Sequence, residues 1–213
     1  ILAGRPSMGK SSLAFNIAQR CGANVDIYTL ETSQHAVYKR IILAEANVSA
    51  LAIRNSALSQ ERKNELLDRL WTAAKKLYDG KIKVYDGRLT IAEIKRRSRR
   101  RKSKEGLDLI IIDYLQLVKS PGSNRYETVT NISMDIREMI MELRVPVLAL
   151  AQMNREAGAK KIPELRELKE SGQLDQDADI IMLLHRDDYY DITQNKIPAN
   201  EGEVTLIFAK QRD

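Results

Sequence analysis

The sequence predicts an α/β domain built on a doubly wound, mostly parallel β-sheet flanked by helices. Three observations carry that prediction. Short aliphatic and β-branched runs alternate with longer amphipathic stretches, the pattern of strand–helix–strand crossover units. The run Leu109-Ile110-Ile111-Ile112 is apolar without alternation, as a strand covered on both faces requires. The 213 residues are 43% apolar and 30% charged, which suits one such domain and excludes wholesale disorder.

Strands are predicted over residues 1–3, 26–30, 81–85, 107–112, 146–151, 179–184 and 203–209. Helices are predicted over 11–21, 34–46, 60–78, 91–104 and 131–143. Ser59 is placed to N-cap the third helix, and Thr90-Ile91-Ala92-Glu93 reads as a capping box opening the fourth. Residues 119–128 and 153–173 read as loops. The second is long for a passive connector, which marks it as a candidate binding segment.

No internal repeat or low-complexity linker is visible, and no apolar run approaches the roughly 18 residues of a membrane helix. The N-terminus lacks the layout of a signal peptide. The single cysteine, Cys21, excludes an internal disulfide and a Cys/His zinc site, so a cytoplasmic location is expected. The chain begins without Met and stops directly after a strand-like run. It therefore reads as a piece of a longer protein, with residues 1–213 forming a single domain.

The formal net charge is +6, but the basic excess is local. Residues 95–104 read KRRSRRRKSK, eight bases in ten. Without them, 27 basic residues face 29 acidic ones. Such a run either attracts phosphate backbones or forms a solvated helix face, and the second reading is the commoner.

Gly4-Arg5-Pro6-Ser7-Met8-Gly9-Lys10-Ser11, followed by Ser12, fits G-x-x-x-x-G-K-[ST] between a strand start and a helical pattern. Gly4 and Gly9 let the backbone curl so that N–H groups converge on a phosphate, helped by the positive end of the helix. Lys10 is placed for the β- and γ-phosphates of a nucleoside triphosphate, and the Ser11 hydroxyl for Mg²⁺. Asp113 ends a hydrophobic strand, where a second magnesium-orienting group is needed. Asp108 starts the same strand and should lie at the opposite edge. Glu31 and Gln152 follow predicted strands at the edge where open parallel sheets bind ligands. There a carboxylate can orient or deprotonate water, and an amide can register a γ-phosphate.

At these residues the chain resembles the C-terminal, RecA-like motor domain of the DnaB-type replicative DNA helicases, bacterial or phage-encoded. The segments are GRPSMGKSS at 4–12, YTLETS at 28–33, LIIIDYLQL at 109–117, VPVLALAQMNR at 145–155, LKESGQLDQDADIIMLLHRDDYY at 168–190 and AKQR at 209–212. The resemblance implies a RecA-like P-loop NTPase fold. It makes Glu31 the catalytic glutamate, Asp113 the magnesium-coordinating aspartate, and Gln152 the γ-phosphate sensor. Arg40 becomes a further active-site candidate, and Lys169, Glu170 and Gly172 become the loop on the DNA backbone. Lys210 and Arg212 become a basic pair reaching a neighbouring subunit's nucleotide. ATP and Mg²⁺ are the implied cofactors. Single-stranded DNA, further copies in a hexameric ring, a primase and a helicase loader are the implied partners, with 5′→3′ travel and no membrane. An N-terminal collar domain and the extreme C-terminus are the implied missing parts.

The chain departs from the family pattern at Lys169, where Arg is usual, and at Thr32, where Met is usual. The segment between Arg155 and Lys169 is short, and Asp213 stands in place of a usual Asn. Lysine keeps the charge but loses bidentate geometry. Tyr189 and Tyr190 follow a predicted strand, where packing outweighs base stacking. Two alternatives share the P-loop. One is a RecA-type recombinase that forms filaments on DNA, against which the ESGQLDQDAD stretch and the KQR ending weigh. The other is a P-loop kinase or nucleotide-gated binding module, against which the absence of an Arg-rich lid weighs.

Overall fold

The computed structural model describes residues 1–54, 58–78, 80–120, 124–153, 162–193, 197 and 201–212. The side chains of residues 125, 169–173, 190 and 193 lie outside that description. Seven strands form one sheet in the order β3-β2-β4-β5-β1-β6-β7. They are β1 (Leu2–Gly4), β2 (Val25–Thr29), β3 (Ile82–Asp86), β4 (Leu109–Asp113), β5 (Val147–Gln152), β6 (Ile180–His185) and β7 (Thr205–Gln211). Six run parallel, and β7 pairs antiparallel with β6 at one edge.

The helices are α1 (Lys10–Arg20), α2 (Gln34–Glu45), α3 (Ala50–Arg54), α4 (Gln60–Tyr78), α5 (Ile91–Glu105), α6 (Arg125–Leu143), α7 (Gly172–Asp177) and α8 (Asp187–Thr193). Alternation along β2 and β4 divides the core. Val25, Ile27 and Ile111 pack with Phe15 of α1 and with Val37 and Ile41 of α2. Tyr28, Ile110 and Ile112 face Ile94 of α5 and Ile132 and Met139 of α6 on the other side. Helix α4 stands outside this sandwich and packs through Leu66 and Ala73 on Ala46 and Val48 after α2. Among the described residues, no helix is long and apolar enough to cross a membrane.

Two expectations about local structure change. Helix α6 begins six residues before the predicted start at 131, because Asn124 caps it by accepting from the Glu127 N–H at 2.9 Å. The loop predicted over 153–173 contains a 3-10 helix at Leu165–Ser171 that runs directly into α7. The capping box at Thr90 and Glu93 forms as expected.

The basic run is largely committed within the chain. Lys95 pairs with Glu138 at 2.7 Å, and Arg99 pairs with Glu142. Arg97 lies over the Tyr85 ring at 5.3 Å, and Lys102 donates to the Leu107 carbonyl at 2.8 Å. Arg101 is buried with Nε 3.6 Å from Oδ1 of fully buried Asp26, too long for a hydrogen bond.

Burial pushes the Asp26 carboxyl up to about 6, against the pull of Arg101. An acid held above its ordinary 3.8 stabilises the fold only while it is protonated. That contribution, about 3 kcal/mol, is complete below pH 4 and lost as pH rises through about 6. Urea unfolding across this range is expected to show the stability of the parent falling by up to that amount relative to Asp26→Asn. Parallel pH profiles would contradict the assignment.

Candidate functional site

The edge formed by the carboxyl ends of the parallel strands begins at Gly4. A Cβ there would sit 2.9 Å from the Leu184 carbonyl oxygen, so β1 approaches β6 only as glycine. Gly4 thus serves close approach, whereas Gly9 adopts φ 93° and opens α1. Ser7 also takes a left-handed conformation, at φ 65°. Met8 is buried against Leu2 and Leu184, with Tyr189 packed beside them, which pins the loop to the sheet. Tyr189 is therefore a packing residue. Pro6 is half-buried, and Ser12 is exposed on the first turn of α1.

The Lys10 ammonium donates to the carbonyls of Gly4 at 2.8 Å and Arg5 at 3.0 Å. Burial holds its pKa below the ordinary lysine value, while the charges of Asp113 and Glu31 act in the opposite direction. Asp113 is buried at the end of β4. Burial raises its pKa, and a hydrogen bond from Ser11 and the charges of Lys10 and Arg40 lower it. Lys10, Ser11, Glu31, Arg40 and Asp113 therefore share one electrostatic neighbourhood. Glu31 is projected from a turn closed by the Thr29 hydroxyl, which donates to the Thr32 carbonyl at 2.9 Å and accepts from its N–H at 3.2 Å. The Asp113 carbonyl accepts from Leu30 N–H at 2.9 Å, tying that turn to β4.

The hydroxyl of Ser11 and the carboxylate of Asp113 are adjacent hard oxygen donors. They fit Mg²⁺, which takes one or two protein ligands and completes its shell with phosphate and water. Among the described residues, no cluster of three or more His, Cys, Asp or Glu residues could hold a metal by itself. Asp108 lies at the opposite edge, as expected, accepting from Asn24 N–H at 2.9 Å.

Gln152 ends β5, is exposed, and pairs in register with Gly4. Gln116, which the sequence left without a role, clamps it from the side. Its amide donates to the Gln152 carbonyl at 3.0 Å and accepts from the Gln152 N–H at 3.3 Å. A polar residue inside the apolar LQLV run after Asp113 was the available signal.

Lys210 and Arg212 are not brought to this neighbourhood. Lys210 pairs with Ile181 at the start of β6, whereas Gly4 pairs with Leu184 near its end. Lys210 donates to the carbonyls of Asp175 and Gln176, and Arg212 donates to that of Gln176. Lys169 and Glu170 lie on the 3-10 helix and Gly172 opens α7, with their side chains outside the described set. Arg5 joins this segment to the phosphate loop, facing Glu167 at 3.1 Å with both side chains buried.

Comparison with known proteins decides the family. The sequence profile of the DnaB-like helicase C-terminal domain matches residues 1–213. The chain belongs to this family. A DnaB relative from Geobacillus stearothermophilus, a replicative DNA helicase, is 38% identical over the whole of this chain and 47% of its own length. The replicative DNA helicase DnaC of Bacillus subtilis is 37% identical with the same coverage. The chain thus spans about half the length of the curated relatives it matches. A solved DnaB-like replicative helicase, described with its interactions with primase, superposes with TM-score 0.87 at 34% identity, covering 100% of this chain and 53% of that one. A KaiC-like protein of Pyrococcus horikoshii superposes at TM-score 0.60 and 13% identity, covering 78% of that chain, and shows the shared RecA-like fold alone.

Proposed function

We propose that this DnaB-family domain is the ATP-hydrolysing motor of a replicative DNA helicase. It would act at subunit interfaces of a ring, a hexamer by family, and travel 5′→3′ on single-stranded DNA in the cytoplasm. Primase and a loader are its proposed partners outside the ring. The split of functional groups between two sheet edges carries this conclusion. Lys10, Ser11, Glu31, Asp113 and Gln152 gather at one edge, while Lys210 and Arg212 sit at the other. The two positions along β6 are separated by roughly 10 Å of strand. That separation supports a site completed by a second copy.

In the proposed chemistry, Lys10 and the loop amides hold the triphosphate, with Ser11 and Asp113 as the Mg²⁺ ligands. The ion, when bound, neutralises charge on the β- and γ-phosphates. Glu31 orients a water and accepts its proton as the new oxygen–phosphorus bond forms and the bond to the β-phosphate oxygen breaks. Arg40 biases the charge of Asp113 from α2. Gln152, held by Gln116, senses the γ-phosphate. Lys210 and Arg212 of a neighbour stabilise the transition state, and Lys169, Glu170 and Gly172 contact the DNA backbone. Phosphate contacts of that kind tolerate any sequence and weaken steeply with salt.

The test is ATP turnover with and without single-stranded DNA across protein concentration. Specific activity is expected to rise with concentration and with DNA. A strictly linear, DNA-indifferent rate would overturn the motor reading, and filaments instead of rings on DNA would favour the recombinase alternative.

A further inference from the structure

The Arg5–Glu167 pair joins residues 162 positions apart, and nothing in the hydrolysis chemistry above uses it. Arg5 Nε lies 3.3 Å from one Glu167 carboxylate oxygen, and Nη2 lies 3.1 and 3.3 Å from the two oxygens. The side chains are 8% and 3% exposed. The carboxylate also accepts from Glu164 N–H at 3.1 Å, so it is fixed to the start of the 3-10 helix as well as to the loop. Buried ion pairs of this kind are seldom better for stability than apolar residues of the same volume. Stability alone therefore does not account for a charged pair at this position.

Both ends of the pair lead somewhere. The Arg5 carbonyl accepts from Lys10 Nζ at 3.0 Å, so the backbone that carries Arg5 responds to where the ammonium sits. Leu168, next to Glu167, is buried against Ala3 of β1 and against Ala151 and Met153, the two neighbours of Gln152. The turn at 169–172 is thereby held to the phosphate loop by charge and to the sensor strand by packing. Packing resists movement in every direction, whereas a forked ion pair fixes orientation as well as distance.

We propose that the Arg5–Glu167 ion pair couples the state of the nucleotide cradle to the turn at 169–172, making Arg5 and Glu167 positioning residues for DNA-dependent hydrolysis. The inference rests on the DNA-contacting role assigned to that turn above. When Lys10 turns from the Arg5 carbonyl toward a bound triphosphate, Arg5 shifts with its peptide, and Glu167 carries the shift into the turn. ATP then changes DNA affinity, and by linkage DNA changes ATP affinity by the same factor.

The test is titration of a fluorescent single-stranded oligodeoxythymidylate with the parent protein, Glu167→Gln, and the double variant Arg5→Met/Glu167→Leu. Each is titrated with and without a saturating non-hydrolysable ATP analogue and Mg²⁺. The parent is expected to show an analogue-dependent change in DNA affinity of about fivefold or more. In Glu167→Gln that ratio falls toward one while nucleotide-free DNA affinity is unchanged, a split that general loss of structure does not produce. The double variant guards against an orphaned buried charge. Its thermal midpoint is expected to match or exceed that of the parent while the ratio still collapses. A parent with coupling and a folded double variant that retains it overturns the inference alone. A parent whose DNA affinity ignores the analogue overturns both the inference and the function beneath it.

Discussion

Lys10→Ala is expected to slow ATP hydrolysis by at least about 10²–10³-fold and to weaken nucleotide binding, as measured by steady-state turnover and a fluorescent-nucleotide titration. The Lys10 ammonium lies among two carboxylates, Asp113 and Glu31, whose charges help keep it protonated against burial. Without it, a triphosphate meets the two carboxylates with only Arg40 of that neighbourhood left to offset them. Asp113, whose affinity for protons is already raised by burial, loses the Lys10 contribution that opposes that rise. Both effects act on binding and on the transition state, where charge is spread over the γ-phosphoryl oxygens and builds on the leaving β-phosphate oxygen. A Lys10→Ala protein that turns over ATP at the parental rate would remove the phosphate loop from the mechanism.

Arg212→Ala is expected to leave ATP affinity intact and to lower the maximal rate by about 10³-fold or more, the loss typical of an arginine supplied from outside the phosphate loop. Arg212 lies beyond β7, with its backbone N–H 2.9 Å from the Asp179 carbonyl at the foot of β6, away from the cradle of its own chain. Mixing separates the two possibilities. When Lys10→Ala and Arg212→Ala subunits co-assemble, some interfaces combine an intact cradle from one copy with an intact arginine from the other. Random mixing makes roughly a quarter of interfaces complete in a head-to-tail ring. Activity reappearing in the mixture is the expected result, and two inactive proteins that stay inactive together would overturn the shared site.

The phosphate loop was legible because its chemistry is local. Glycines, a lysine and a serine must follow one another to curl around a phosphate, so the requirement is written in eight consecutive residues. The buried strands were legible through runs such as Leu109–Ile112, which no half-exposed strand would carry. Short helices were not. Helix α7 (Gly172–Asp177) and helix α8 (Asp187–Thr193) are polar, acidic and under two full turns long, too short for a periodic stripe to declare itself. Non-local pairs escaped for a different reason. Arg5 reads as a variable position of the loop motif, and Glu167 as one acid among several in a polar stretch. Only folding joins them. The basic run was similarly opaque, because Glu138, Glu142 and Asp26, which face it, are far away in sequence.

The reversed strand β7 gives the domain a direction. Had β7 run parallel to its neighbour, Lys210 and Arg212 would have finished near the phosphate loop of the same molecule. Running backwards, it carries them to the opposite rim, which on the function proposed above makes one rim a socket and the other a plug. Copies joined socket to plug can never meet by a twofold axis. Whether such a chain of copies bites its own tail or keeps growing depends only on the turn between successive members, so a change of a few degrees at this junction is enough to trade a closed circle for an endless spiral.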